Sequence, residues 1–485
     1  MRRMTVIACV ATLGVAVATY GVLDAHDKVP GILTIDRDPS PLASPVPGVP
    51  STAATDGSQA SRVIVPTPLP PVATSAASAS SGAPQPAAAA LRSALAPALA
   101  DPRLGRSVGL TVRDGMTGAH LLDVAADQPR TPASTTKLLT AAAVVPSLGP
   151  ETRLRTSTVL APDGRVVLRA GGDMMLARGP SRPGEVEGHA GVGTLAAQTA
   201  AALRSAGRTT VTLGLDTTYA DGEDYAPTWD RAYYPEAIVG KVAMLGLADG
   251  LVAPGGPGPA DPAGEVAEVL RSELGRAGIS VRGDLVRAAA PGGSRPLAAV
   301  SSAPVADVMA VALARSDNAV TESLARQAAV RAGAGGGFAE VARWVQAELA
   351  RRGHDVTGVR LVDTSGLSKG TEVPARLVGD VIVAGTSGRD PGMARVVEDL
   401  PVAGLSGTLA GRYVSGPAAS GAGLVRAKTG TLTGISSLGG TVVDADGRLL
   451  AFAVLADGIP SSSGTEGARA ALDALVARLA SCGCR

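Results

Sequence analysis

"RTPASTTKLLTAAAVV", residues 130–145, poses the choice on which the chain turns. Ser134 opens an apolar helical pattern and stands three residues before Lys137. A serine at a helix start is ordinarily a cap, its hydroxyl accepting a hydrogen bond from an unpaired backbone N–H. The same spacing also puts the serine and the lysine on one helical face. There a neutral amine could take the hydroxyl proton, and the helix N-terminus would favour negative charge developing on the oxygen. The stretch leaves both readings open, because a Ser-x-x-Lys arises readily by accident in a chain of 485 residues.

Residue usage narrows the choice. Of the 44 basic residues only Lys28, Lys137, Lys241, Lys369 and Lys428 are lysines, and Asn318 is the single asparagine. A chain so biased to arginine keeps lysine where arginine would not serve, and arginine cannot give up its proton at ordinary pH. Two further stretches draw on the same scarce residues. "ARSDNAV" holds Ser316, Asp317 and Asn318 in a break between two helical patterns, and "AKTGT" holds Lys428, Thr429, Gly430 and Thr431 on a strand. Read alone, Asn318 would be a helix cap and Lys428 a solvated strand lysine. Together the three stretches reproduce the order and rough spacing of a Ser-x-x-Lys, Ser-Asp-Asn, Lys-Thr-Gly set.

On those motifs the chain resembles the penicillin-recognising serine enzymes. It is most similar to their D-alanyl-D-alanine carboxypeptidase/endopeptidase family, the low-molecular-mass penicillin-binding proteins of type C, over about residues 90–480. Supporting stretches are "DTSGLS" from Asp363 and "DLPVAGLSGTLAGR" from Asp399; we expect structural roles for both. The chain departs from the family in having Thr364 where glycine is usual, and in lacking a proline after Asp173 in "GGDMML". Its gap from first to second motif is also short.

The resemblance implies an α/β (α+β) fold: a penicillin-binding, β-lactamase-like domain with an antiparallel sheet flanked by helices, an all-helical subdomain and a β-rich inserted domain. It implies Ser134 as nucleophile and Lys137 as base, its charged form disfavoured by Lys428. Ser316 would relay a proton to the leaving amine, and Asn318 would bind the substrate amide. Lys428, Thr429, Gly430 and Thr431 would bind substrate, Lys428 and Thr429 receiving the terminal carboxylate, with the Ser134 and Thr431 N–H groups as oxyanion hole. The implied activity is serine D-Ala-D-Ala carboxypeptidase trimming of peptidoglycan stem peptides, with DD-endopeptidase as the alternative. β-Lactams would be covalent inhibitors, and no cofactor or metal is implied.

Two arginines precede an apolar run, Met4–Leu23, long enough to cross a bilayer at about 1.5 Å per residue. Residues 1–27 therefore read as a signal peptide or N-terminal membrane helix, and either places the remainder outside the cytoplasm, in the cell envelope. Residues 28–88, rich in Pro, Ala and Ser, read as a disordered linker about 45 Å across if coil-like. Beyond it we expect the penicillin-binding domain at 89–154 and 296–481, interrupted by an insert at 155–295. Clear helical patterns lie at 89–101 and within 305–353, and hairpins at 107–127, 155–172 and 435–457, the last marked by Asp446-Gly447.

The composition excludes other classes. A net charge of +1 with no basic run gives a nucleic acid nothing to bind. Four scattered histidines supply no zinc set, while Cys482 and Cys484 are close enough to pair in an oxidising compartment. A Ser-His-Asp hydrolase lacks its G-x-S-x-G turn. A class A β-lactamase lacks a second asparagine for its deacylating motif. An inert cell-wall scaffold would have had no reason to keep all three motifs.

Overall fold

The computed structural model describes residues 79–251 and 256–484. The apolar run and residues 28–78 of the linker lie outside the described residues. The linker's last residues do not behave as linker. Ser80 N–H donates to Gly447 O at 2.9 Å, and Ala87 N–H to Cys484 O at 2.6 Å. The buried Arg448 guanidinium holds the carbonyls of Ser81 and Ala83, both at 3.0 Å. Main-chain bonds of this kind order a segment whose side chains bury little.

Beyond this strap come α1 (Ala88–Leu99), the hairpin β1 (Ser107–Asp114) and β2 (His120–Val124), and α2 (Thr136–Leu148). Then follow β3 (Arg153–Leu160), β4 (Val166–Arg169), α3 (Val192–Ser205), β5 (Leu213–Asp216), α4 (Pro262–Arg276), β6 (Val286–Arg287) and β7 (Arg295–Pro304). The chain ends in helices α5 (Val305–Arg315), α6 (Asn318–Arg331), α7 (Phe338–Arg351), α8 (Ala375–Thr386) and α9 (Pro391–Glu398). After them come strands β8 (Val425–Leu432), β9 (Ile435–Val443) and β10 (Leu449–Asp457), and helix α10 (Gly464–Ala480).

The first sheet, ordered β8-β9-β10-β1-β2, is antiparallel throughout. Its β10, "LLAFAVLAD", is apolar at nearly every position because both faces are covered. Ala451 and Ala453 join the core shared with α2 and the helices α5 to α9, while Leu450, Phe452 and Val454 join the core of α1 and α10. That alternation is the period of two that a pleated strand imposes. Cys482 and Cys484, just past α10, are joined as a disulfide, with Cα atoms 5.0 Å apart.

The second sheet, ordered β6-β5-β4-β3-β7, is mixed. β3 pairs antiparallel with β4 and with β7, from Arg153 opposite Pro304 to Leu160 opposite Arg295. The chain therefore joins and leaves this sheet side by side. β4–β5 and β5–β6 are parallel, and parallel neighbours need long crossovers. Helices α3 and α4 supply those crossovers, burying Leu195, Leu203, Val266 and Leu270 on the sheet. The region expected to be β-rich is thus as helical as it is stranded. Asp261 accepting from Gly264 N–H with Pro262 behind it starts α4 as cap and first-turn proline do.

Candidate active site

Ser134 lies in a single 3₁₀ turn, Ala133–Thr135, that leads into α2. Its hydroxyl caps nothing, since α2 has no side-chain cap bond. The turn is strained, with Ala133 at φ +48°, a conformation that persists only where its surroundings enforce it. They do. Ser437 on β9 donates to Pro132 O at 2.6 Å, and Thr136 Oγ1 to Ala133 O at 2.7 Å. Two glycines let the backbone close in. A Cβ on Gly430 would stand 2.5 Å from Pro132 O and 3.0 Å from Ser134 N; one on Gly366, at φ +79°, would stand 2.0 Å from Ala133 O.

One turn along α2, Lys137 is fully buried. Its Nζ lies 3.0 Å from Ser134 Oγ, 2.6 Å from Asn318 Oδ1 and 2.9 Å from Ser365 O. Burial pushes the amine down to about 8, against the pull of the Asp363, Glu322 and Asp317 carboxylates. A neutral amine has two N–H groups and one lone pair. The Asn318 and Ser365 oxygens can only accept, so they take both N–H groups and leave the lone pair for the Ser134 hydroxyl.

Ser316 lies in the break between α5 and α6, and Asn318 is the first residue of α6. Ser316 is left-handed at φ +58°, and the cap of α6 is Asp317, whose carboxylate accepts from Val320 N–H at 2.8 Å. Asn318 is therefore free of the capping role its position suggested. Its Nδ2 donates instead to Ile238 O at 2.7 Å, a carbonyl from the stretch between β5 and α4. Lys428 is no solvated strand lysine either, being fully buried. Its Nζ donates to Ser316 Oγ at 2.8 Å and Thr429 O at 2.7 Å. Burial first, then the cations of Lys137 and Arg412, pushes it well below the ordinary lysine range. The resemblance implied that repulsion from Lys428 lowers Lys137; burial is what lowers it, and the repulsion falls on Lys428 instead.

The eight motif positions thus converge. Ser134, Ser316, Asn318, Thr429 and Thr431 line one cleft of about 790 Å³, with both lysines buried against its serines and Gly430 against the Ser134 turn. Besides Ile238, sequence reasoning missed three contributors. Ser365 gives the carbonyl that orients Lys137. Glu322, four residues after Asn318 and so on the same helical face, accepts from Thr364 and Ser365 N–H at 2.9 and 2.7 Å. Burial and then Asp363 push this carboxyl up to about 7. Thr408, from the stretch read as an edge turn, accepts from Thr429 Oγ1 at 3.0 Å. Among the described residues no group of His, Cys, Asp and Glu is arranged to hold a metal ion.

Comparison with known proteins places the chain in a family. A carboxypeptidase named DacB from Mycolicibacterium smegmatis is 35% identical over 409 residues, covering 83% of this chain and 86% of that one. A Mycobacterium tuberculosis carboxypeptidase is 34% identical over 82% and 85%. Penicillin binding protein 4 (dacB) from Haemophilus influenzae shares the fold, with TM-score 0.64 at 20% identity over 80% of this chain and 97% of that one. The family described as "D-Ala-D-Ala carboxypeptidase 3 (S13)" matches residues 91–254 and 258–480. The chain belongs to that family and is a D-Ala-D-Ala carboxypeptidase.

Proposed function

We propose that Ser134 is the nucleophile and Lys137 its base, acting on peptidoglycan stem peptides that end in D-Ala-D-Ala. The observation that carries this is the Lys137 Nζ–Ser134 Oγ contact at 3.0 Å, with the other two amine partners both acceptors. Ser134 Oγ attacks the carbonyl carbon between the two D-alanines while its proton passes to Lys137. The N–H groups of Ser134 and Thr431 stabilise the oxyanion. Collapse breaks the C–N bond, and the leaving nitrogen takes a proton through Ser316. Water then releases the acyl group by the reverse proton path, freeing the trimmed peptide.

Lys428, Thr429 and Thr431 receive the terminal carboxylate. Burial and the neighbouring cations disfavour the charge on Lys428, and an arriving carboxylate would offset that cost, which suits a site for an anion. β-Lactams acylate the same serine. The domain division that fits the sheets is a catalytic body interrupted by an insert whose paired ends are β3 and β7. Met4–Leu23 exports or anchors the protein, and the Pro-rich stretch after it lets the enzyme reach into the cell wall.

The test is covalent labelling by a reporter penicillin, with Ser134→Ala as control. Stoichiometric label on the parent and none on the variant is the expected result. Label on the variant, or none on the parent, overturns the assignment.

A further inference from the structure

Resting on that reading, we infer that a groove beyond the β8–β9 turn binds the upstream residues of the peptide, those on the acyl side of the cleaved bond. β8 is the edge of its sheet, but only part of that edge is open. Along Val425–Ala427 it is occupied by the segment 401–403: Ala403 N–H donates to Val425 O, and Ala427 N–H to Pro401 O, both at 2.9 Å. From Thr429 onward the edge walls the cleft, through Thr429, Thr431 and Leu432. A peptide lying along β8 with its carboxylate at Lys428–Thr429 is therefore closed off behind that carboxylate. Its upstream residues can follow the strand only past Thr431.

In that direction lies a hollow of about 220 Å³ bounded by Leu432, Ile435, Ile459, Pro460 and Ala468. Leu432 and Thr433 line both this groove and the catalytic cleft, so the two adjoin at the end of β8. The groove is built into the fold, since Ile459 N–H donates to Gly434 O at 3.0 Å and ties the β8–β9 turn to the loop before α10. Leu432, Ile435 and Ile459 are half-buried, leaving apolar surface open to an incoming chain. Glu466 and Arg469, paired at 2.5 Å, stand where groove meets cleft. The occupant that fits is an extended peptide stretch, aliphatic side chains against the apolar floor and main chain along the charged rim.

Thr465 is exposed on the groove wall and lies outside the catalytic cleft, so Thr465→Trp fills the groove without touching the site of acylation. Three quantities are compared in parent and variant: kcat/KM for D-alanine release from a five-residue peptide ending in D-Ala-D-Ala, the same for N-acetyl-D-Ala-D-Ala, and the rate of penicillin acylation. The parent should favour the longer peptide. The variant should lose on the order of tenfold on that substrate, chiefly through KM, with the other two within about twofold. Ser461→Trp, exposed on the same groove, should do likewise and guards against misfolding of the first variant. A parent indifferent to peptide length, or equal losses on all three in both variants, overturns the groove. A parent that neither takes up penicillin nor releases D-alanine overturns the catalytic reading beneath it instead.

Discussion

The two five-stranded sheets use the same number of strands for different ends. The first is antiparallel, covered by helices on both faces, and carries Lys428–Thr431 on its edge against the nucleophile turn. The second is mixed, and none of the three motifs lies on it. It reaches the chemistry through the Ile238 carbonyl, held by Asn318 at 2.7 Å, from the stretch that also brings Tyr233 and Glu236 to the cleft. Reacting groups must be held to fractions of an ångström, and rigid buried elements do that best. Shaping the approach asks less, so loops on a separate sheet suffice.

If that division is right, the largest effect of any single change belongs to the first region. Lys137→Arg keeps the positive charge and most of the length, but a guanidinium cannot give up its proton. Penicillin acylation should fall about 10²–10⁴-fold, the usual reach of general base catalysis, with the circular dichroism spectrum unchanged. A residual rate within tenfold of the parent would mean that something other than Lys137 takes the proton. The contrast between sheets would then lose its chemical half.

A smaller effect sharpens the same contrast. Glu322 is close enough to Lys137 for its charge to favour the protonated amine. Glu322→Gln keeps an oxygen for the Thr364 and Ser365 N–H groups and removes the charge, while the Thr364 hydroxyl, which donates to the other carboxylate oxygen, must turn to accept from the amide. The sign follows directly. The active form of Lys137 is neutral, so kcat/KM rises as pH passes about 8 in the parent. Without the carboxylate the protonated amine loses a stabilising partner, and that rise should move to lower pH. Glu322 itself titrates near 7, so the difference should be clearest above that pH. A profile displaced upward, or lowered in amplitude with no displacement, would mean Glu322 acts only as a prop for the 364–365 backbone.

What was legible in the sequence follows the same line between regions. The hairpins and helices around the motifs show their period of two or of 3.6 within a single window, and Lys137, Asn318 and Lys428 stood out because their residue types are rare here. Ser365 could not be found that way, because it contributes a carbonyl, and every residue has one. Ile238 is hidden for the same reason. Glu322 was within reach: it sits one turn after Asn318, and a buried lysine needs carboxylates near it. The two helices of the second sheet were missed although α4 begins with a capping aspartate and a proline. Only the parallel pairing of β4, β5 and β6 makes helical crossovers there a necessity, and pairing is not written in any one stretch.

The smallest expected effect tests whether the region around the second sheet is energetically separate from the chemistry. Asp173, in the strand Asp173–Leu176, is buried and pushed up to about 7 by desolvation, offset in part by the Met175 N–H it accepts at 2.8 Å. Its folded value lies above the unfolded 3.8, so between those values the native state binds the proton more tightly. Stability should therefore fall as pH rises from about 4 to about 7 and then level off. Asp173→Asn removes this titration while keeping an oxygen for Met175 N–H. At pH 8 the variant should be more stable than the parent by on the order of 4 kcal/mol, and near pH 4 the two should converge. Thermal unfolding at the two pH values reads the difference, and penicillin acylation in the same samples should not change. If acylation moves together with stability, this strand is coupled to the catalytic turn, and the separation between the two sheets is one of sequence only.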